Sequence, residues 1–106
     1  MVTKQQIKQL TMKIVRDFNP VRVILFGSYG YGEPDENSDV DLLVVLPSVE
    51  NRIRKSSEIH RSVFSGFPLD VIVYSEQSLN ERLKKEDFFL REIIQKGQLL
   101  YETPDA

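Results

Sequence analysis

Asp39 and Asp41 lie one residue apart where a polar loop meets the apolar run Val40, Leu42, Leu43, Val44, Val45 and Leu46, which Pro47 closes. A short run this rich in apolar and β-branched residues reads as a strand buried on both faces rather than as a helix. A strand turns residues i and i+2 to the same side, so the two carboxylates are expected to stand next to each other. Two like charges at the edge of a hydrophobic sheet repel and lose hydration, which destabilises the fold unless a cation lies between them. A hard divalent ion, Mg²⁺ or Mn²⁺, suits such oxygen donors.

Upstream, the strand-like run Val21 to Phe26 ends in Gly27-Ser28, with Gly30 and Gly32 close behind. Gly27 permits a sharp turn, Ser28 offers a hydroxyl and an N–H, and the later glycines let a ligand approach the main chain. The combination suits a phosphate cradle. It lacks the Gly-Lys-Ser/Thr ending of a P-loop, and its G-x-x-G-x-G spacing is not the dinucleotide fingerprint. Asp70, in Phe67-Pro68-Leu69-Asp70-Val71-Ile72-Val73, opens a third strand-like run and is a commonplace feature by itself.

Gly27-Ser28, ten intervening residues and then Asp39-Val40-Asp41-Leu42-Leu43-Val44 resemble the signature of the minimal nucleotidyltransferases of the DNA polymerase β-like superfamily. These small proteins are often paired with a HEPN-domain partner in toxin–antitoxin operons. The resemblance covers nearly the whole chain and asks for a third acid on a later strand, where Asp70 stands. It implies an α/β (α+β) fold with a small mixed sheet packed by helices. It also implies a site for two Mg²⁺ ions, with Mn²⁺ as the alternative, in which Asp39 and Asp41 bridge both ions. Asp70 would complete the nucleophile-side ion and offer a proton acceptor, while Gly27 and Ser28 hold the β/γ-phosphates of ATP.

The implied reaction transfers a nucleoside monophosphate, AMP from ATP, to a hydroxyl, with pyrophosphate leaving. The implied acceptor is a side chain such as tyrosine on a HEPN toxin, which makes this chain the antitoxin. Where the family commonly has Ala-Arg-Gly, this chain has Gly30-Tyr31-Gly32, so a cation beside the phosphates is lost. Two rival readings remain open. One is a binding module that neutralises a HEPN partner by contact with little catalysis. The other is a small-molecule nucleotidyltransferase for an aminoglycoside-like acceptor, a class that generally needs a further domain.

At 106 residues the chain is expected to form one domain, 1–106, without room for a separate substrate-binding unit. The absence of cysteine excludes disulfides and zinc-thiolate sites and fits a reducing cytoplasm. Neither a signal peptide nor a membrane-length apolar stretch stands out, so a cytoplasmic protein is expected. A net charge of -2 argues against general nucleic-acid binding, which needs clustered positive charge. Arg52, Arg54 and Lys55 read as a solvated helix face.

The elements that must position these residues follow from periodicity. Thr3 and Gln6 suggest a capping box for a helix over Lys4 to Phe18, with Ile7, Leu10, Ile14, Val15 and Phe18 as its apolar stripe. Asn19-Pro20 ends it, and the first strand begins at Val21. The loop Gly27 to Ser38 is mostly irregular, with a short helical turn after Ser28 whose N–H groups would add to the phosphate site. Glu33, Asp35 and Glu36 read as a solvated turn.

A helix within Val49 to Ser65 carries the sparse stripe Ile53, Ile59, Val63 and Phe64, and the third strand is Leu69 to Tyr74. Glu76 to Lys85 is a polar segment. Phe88, Phe89, Leu90, Ile93 and Ile94 form a last helix stopped by Gly97 at a C′ position. Gln98 to Glu102 is either a short fourth strand or a packed tail.

A helical crossover implies that the second and third strands are parallel, which brings Asp39, Asp41 and Asp70 to one sheet end. Ser28 joins them if the first strand runs antiparallel, so the sheet should be mixed. Tyr29 and Tyr31 read as surface packing rather than as stacking groups. His60, on a helix far along the chain from the acids, reads as a partly buried or interface residue. Phe88, Phe89 and Tyr101 are either core residues or apolar surface for a partner or a second copy.

Overall fold

The computed structural model describes residues 1–63 and 66–104. Helix α1 (Lys4–Phe18) begins with the expected capping box. Gln6 N–H donates to the Thr3 hydroxyl at 3.1 Å, and Thr3 N–H donates to Gln6 Oε1 at 2.8 Å. Each satisfies a donor that a helix start otherwise leaves open. The helix ends at Asn19, whose left-handed conformation (φ 49°) is one that asparagine tolerates better than most residues. Ile7, Leu10, Thr11 and Ile14 form its buried face, and the Thr11 hydroxyl donates to the Ile7 carbonyl at 2.8 Å.

Strands β1 (Arg22–Phe26), β2 (Val40–Leu46), β3 (Leu69–Ser75) and β4 (Gln98–Glu102) form one sheet in the order β3-β2-β1-β4. β1 is antiparallel to both β2 and β4, and β2 is parallel to β3, so the sheet is mixed as expected. The C-terminal segment is a strand rather than a packed tail. β2 is central, and it is buried at every position except Asp41, which is half-buried.

The sheet carries two helical layers. On one face, α1 and α3 (Arg52–Ser62) cover Val23 and Leu25 of β1, Val40, Leu42, Val44 and Leu46 of β2, and Val71 and Val73 of β3. On the other, α4 (Glu76–Lys84) and α5 (Phe88–Lys96) cover Ile24, Phe26, Leu43, Val45 and Tyr74. The one-turn α2 (Gly27–Gly30) links β1 to the loop.

Three sequence expectations need correction, and one open assignment is filled in. The polar segment after β3 is helical, because Ser75 caps it by accepting Ser78 N–H at 3.0 Å and Leu79 with Leu83, four residues on, reaches the core. Ile53 is not part of the α3 stripe and is 81% exposed; Ile59 and Val63 anchor that helix, and Phe64 lies outside the described residues. Gly97 is extended (φ -69°, ψ 167°) rather than left-handed. A side chain is excluded there by space, since a Cβ would lie 2.5 Å from the Ile93 carbonyl oxygen and 2.8 Å from Ile24 Cγ2. His60, the last, belongs to the outer edge of β3.

That edge is covered by side chains of α3. Arg52 Nε donates to the Val73 carbonyl at 2.7 Å, the Ser56 hydroxyl donates to the Val71 carbonyl, and His60 Nε2 lies 3.0 Å from the Leu69 carbonyl. Four helical residues rise about 6 Å and two strand residues about 6.6 Å, so positions i, i+4 and i+8 of the helix keep step with alternate carbonyls of the strand. The Arg52 guanidinium also lies 3.7 Å above the Tyr74 ring.

Candidate functional site

In the sheet register Asp41 stands between Phe26 of β1 and Asp70 of β3. Asp41 shares its side of β2 with Leu43 and Val45, and Asp70 shares its side of β3 with Ile72 and Tyr74. All of these belong to the α4/α5 layer. Strand alternation puts Asp39, the exposed residue just ahead of β2, on the same side. The three acids predicted from sequence therefore occupy one rim and one face. β2 sets the first two, and the parallel pairing sets the third.

Gly27 closes the opposite wall. Its φ of +67° is one that side-chain-bearing residues rarely adopt, and a Cβ there would fall 2.1 Å from Asp41 Oδ2. The turn is held by Tyr31 N–H donating to the Gly27 carbonyl at 2.8 Å and Glu33 N–H donating to the Ser28 carbonyl at 2.9 Å. Ser28 is half-buried in this turn, beside Gly27. Farther along, Asp35 Oδ1 accepts Asn37 N–H at 2.8 Å, and Ser38 Oγ accepts Asp35 N–H at 2.9 Å. This local closure delivers the chain to Asp39, in keeping with the expectation that Asp35 belongs to a turn.

Burial pushes the Asp41 carboxyl up to about 6, and the charges of Asp70 and Asp39 push in the same direction. The charged form of such a carboxyl is destabilised by its surroundings, and a positive charge arriving beside it would relieve that cost. The donors fit a hard divalent ion, being carboxylate oxygens at the edge of an apolar sheet. Among the described residues, no group of three or more acidic, histidine or cysteine side chains is gathered so as to hold a metal ion.

The tyrosines separate into two roles. The Tyr29 hydroxyl accepts Val2 N–H at 2.9 Å, so this side chain packs against the chain's beginning. Tyr31 is 36% exposed, and burial raises its phenol pKa, with Glu92 of α5 and Asp41 adding to the rise. His60, expected to be partly buried or at an interface, is exposed, with Nε2 3.0 Å from the carbonyl of the residue before Asp70. Its neighbourhood with Asp70 could have been read from the spacing of Arg52, Ser56 and His60 along one helix face. Phe89, expected in the last helix, is 53% exposed, with its ring edge-on to Phe26 at 5.9 Å. Nothing in its local sequence distinguishes it from a core residue.

Comparison with known proteins adds three kinds of likeness. The profile of the nucleotidyltransferase domain family matches residues 7–103. A protein of Methanocaldococcus jannaschii, provisionally named a protein adenylyltransferase, is 31% identical over 81 residues, covering 76% of this chain and 77% of that protein.

Among solved structures, a provisionally assigned nucleotidyltransferase from Sulfolobus solfataricus superposes with a TM-score of 0.66 at 20% identity, covering 96% of this chain and 82% of that one. A toxin–antitoxin structure with AMP-PNP gives a TM-score of 0.58 at 22% identity over 92% and 75% of the two chains. A complex of the tri-AMPylated Shewanella oneidensis HEPN toxin with its MNT antitoxin gives 0.56 at 21% identity over 97% and 76%. At these identities the structural likeness speaks for the fold.

Proposed function

Because the chain belongs to the nucleotidyltransferase domain family, we propose that it transfers AMP from ATP to a hydroxyl on a HEPN-domain partner protein, and thereby acts as that partner's antitoxin. The observation that carries this reading is the register of Asp41 with Asp70, on the face where Gly27 packs against Asp41. Asp39, Asp41 and Asp70 would hold two Mg²⁺ ions, with Mn²⁺ a possible substitute. When bound, the ions neutralise triphosphate charge and acidify the attacking hydroxyl.

The chain's own residues position and orient. Gly27 and Ser28 would receive the β/γ-phosphates through the turn. The Asp70 carboxylate would take the proton of the acceptor hydroxyl as its oxygen bonds to the α-phosphorus. The bond from that phosphorus to the bridging oxygen breaks, and pyrophosphate leaves. Holding both reactants in line is the largest contribution such a small domain has to offer.

A second reading, a binding module that masks the partner by contact, is favoured by Tyr31, which stands where the family commonly carries an arginine. The deciding experiment incubates the chain with Mg²⁺, ATP labelled at the α-phosphate and the protein encoded by the adjacent reading frame. Label on that protein, lost in Asp39→Asn and Asp41→Asn, supports the enzyme. Tight complex formation without label, surviving both changes, supports the binding module. Transfer to an aminoglycoside-like hydroxyl compound without any partner would overturn both.

A further inference from the structure

We propose that Phe89 is the stacking platform for the purine base of the substrate nucleotide; this rests on the nucleotidyltransferase reading above. The inference comes from the path between the acids and α5. Phe26 is the register partner of Asp41 on the same sheet face, and its ring meets that of Phe89 edge-on at 5.9 Å and 84°. Phe89 is therefore fixed two side chains from Asp41, while 53% of its surface stays exposed. An aromatic ring held by one aromatic neighbour and half exposed offers π-surface at a defined place, which is what base stacking requires.

The surroundings suit a base better than an apolar partner. Glu92 lies one turn along α5 from Phe89, and Lys96 one turn farther, with Lys96 Nζ 3.5 Å from Glu92 Oε1. They place an acceptor and a donor along the same stretch of α5, where an apolar partner would find charge and a heterocyclic base could find hydrogen-bonding groups. Gln98, just past the end of α5, donates through Nε2 to the Gly30 carbonyl at 3.1 Å, which ties this end of the helix to the glycine turn.

Phe88 provides an internal control. It is 74% exposed, but one helical step turns it about 100° from Phe89. A general apolar docking surface would use both rings; a base platform needs Phe89.

The test measures binding of ATP and of inorganic tripolyphosphate, each with Mg²⁺, by calorimetry on the wild type, Phe89→Ala, Phe89→Trp and Phe88→Ala. Phe89→Ala is expected to weaken ATP binding about tenfold or more while tripolyphosphate binding is unchanged, and Phe88→Ala to alter neither. The chain has no tryptophan, so Phe89→Trp adds a single reporter, whose fluorescence should change with ATP and not with tripolyphosphate. This variant also covers the case in which Phe89→Ala fails to fold.

Wild-type ATP affinity in Phe89→Ala, parallel loss of both ligands, or a Phe88→Ala effect equal to that of Phe89→Ala overturns the platform. Equal wild-type affinity for ATP and tripolyphosphate overturns the platform and leaves the nucleotidyltransferase reading standing. Binding of neither ligand to the wild type overturns both.

Discussion

A methyl group added to Gly27 would lie 2.1 Å from Oδ2 of Asp41, so the glycine turn and the carboxylate form one packed unit. Gly27→Ala must either move the carboxylate or distort the turn, and it also places alanine at φ +67°. The backbone cost is about 1–2 kcal/mol. A displacement of this size at a reacting centre is expected to reduce transfer about a hundredfold or more. Labelled-nucleotide transfer, with thermal melting to confirm the fold, checks this; wild-type rates would show that the contact does not matter.

Asp41→Asn is expected to abolish transfer and to stabilise the fold at neutral pH. The folded carboxyl is raised to about 6 from 3.8, so between these values the native state binds more protons than the unfolded one. Stability conferred by the protonated form is thus lost as pH rises through that window, and the full penalty persists above it. After allowance for solvent screening, the asparagine should gain on the order of 1 kcal/mol at pH 7–8. The gain should vanish near pH 4, and Mg²⁺ should raise the melting temperature of the wild type more than that of the variant. Melting curves from pH 4 to 8 measure it; a variant less stable than wild type at pH 8 contradicts the assignment.

His60→Ala removes the contact to the Leu69 carbonyl and frees the first turn of the edge strand, immediately before Asp70. The expected loss is about 0.5–1.5 kcal/mol, with faster amide exchange at the start of β3 and unchanged exchange in β2. His60→Gln, which restores a donor, should recover part of it. Uniformly faster exchange across the sheet would argue instead for global destabilisation.

Asp87→Ala removes the cap of α5, where Asp87 Oδ1 accepts Leu90 N–H at 3.1 Å and Oδ2 meets Arg82 Nε at 3.1 Å. The Leu90 N–H holds the carboxyl below its ordinary range, with Arg82 adding to the effect against some desolvation. A lowered value means stability that is present above the unfolded pKa and lost as pH falls through the folded one. The variant should melt a few degrees lower at pH 7, and the difference should shrink in acid. An equal difference at all pH values would exclude the carboxylate as the cause.

Much of this architecture is written in local spacing. The Thr3–Gln6 box, the apolar run after Asp39 and the helical length between the second and third strands give three elements and their relative directions, and hence the common rim of the acids. Phe89 and Leu90 show where spacing stops informing: they are adjacent apolar residues in one helix, yet Leu90 is fully buried and Phe89 half open. That difference is decided by how α5 lies across β1, a tertiary fact without a sequence period. His60 makes a related point, since chain distance from the acids says nothing about which strand its helix flanks.

β2 is flanked by strands on both sides and covered by helices on both faces, and the residues on either side of Asp41 in it are wholly apolar. A slip by one position would exchange Asp41 for Val40 or Leu42 on the working face while leaving the chain nearly as compact and as rich in secondary structure. Circular dichroism would scarcely notice such a misthreaded molecule, yet it would be chemically silent. Turnover per mole of protein is therefore the more stringent gauge of how much of a preparation has reached its native arrangement.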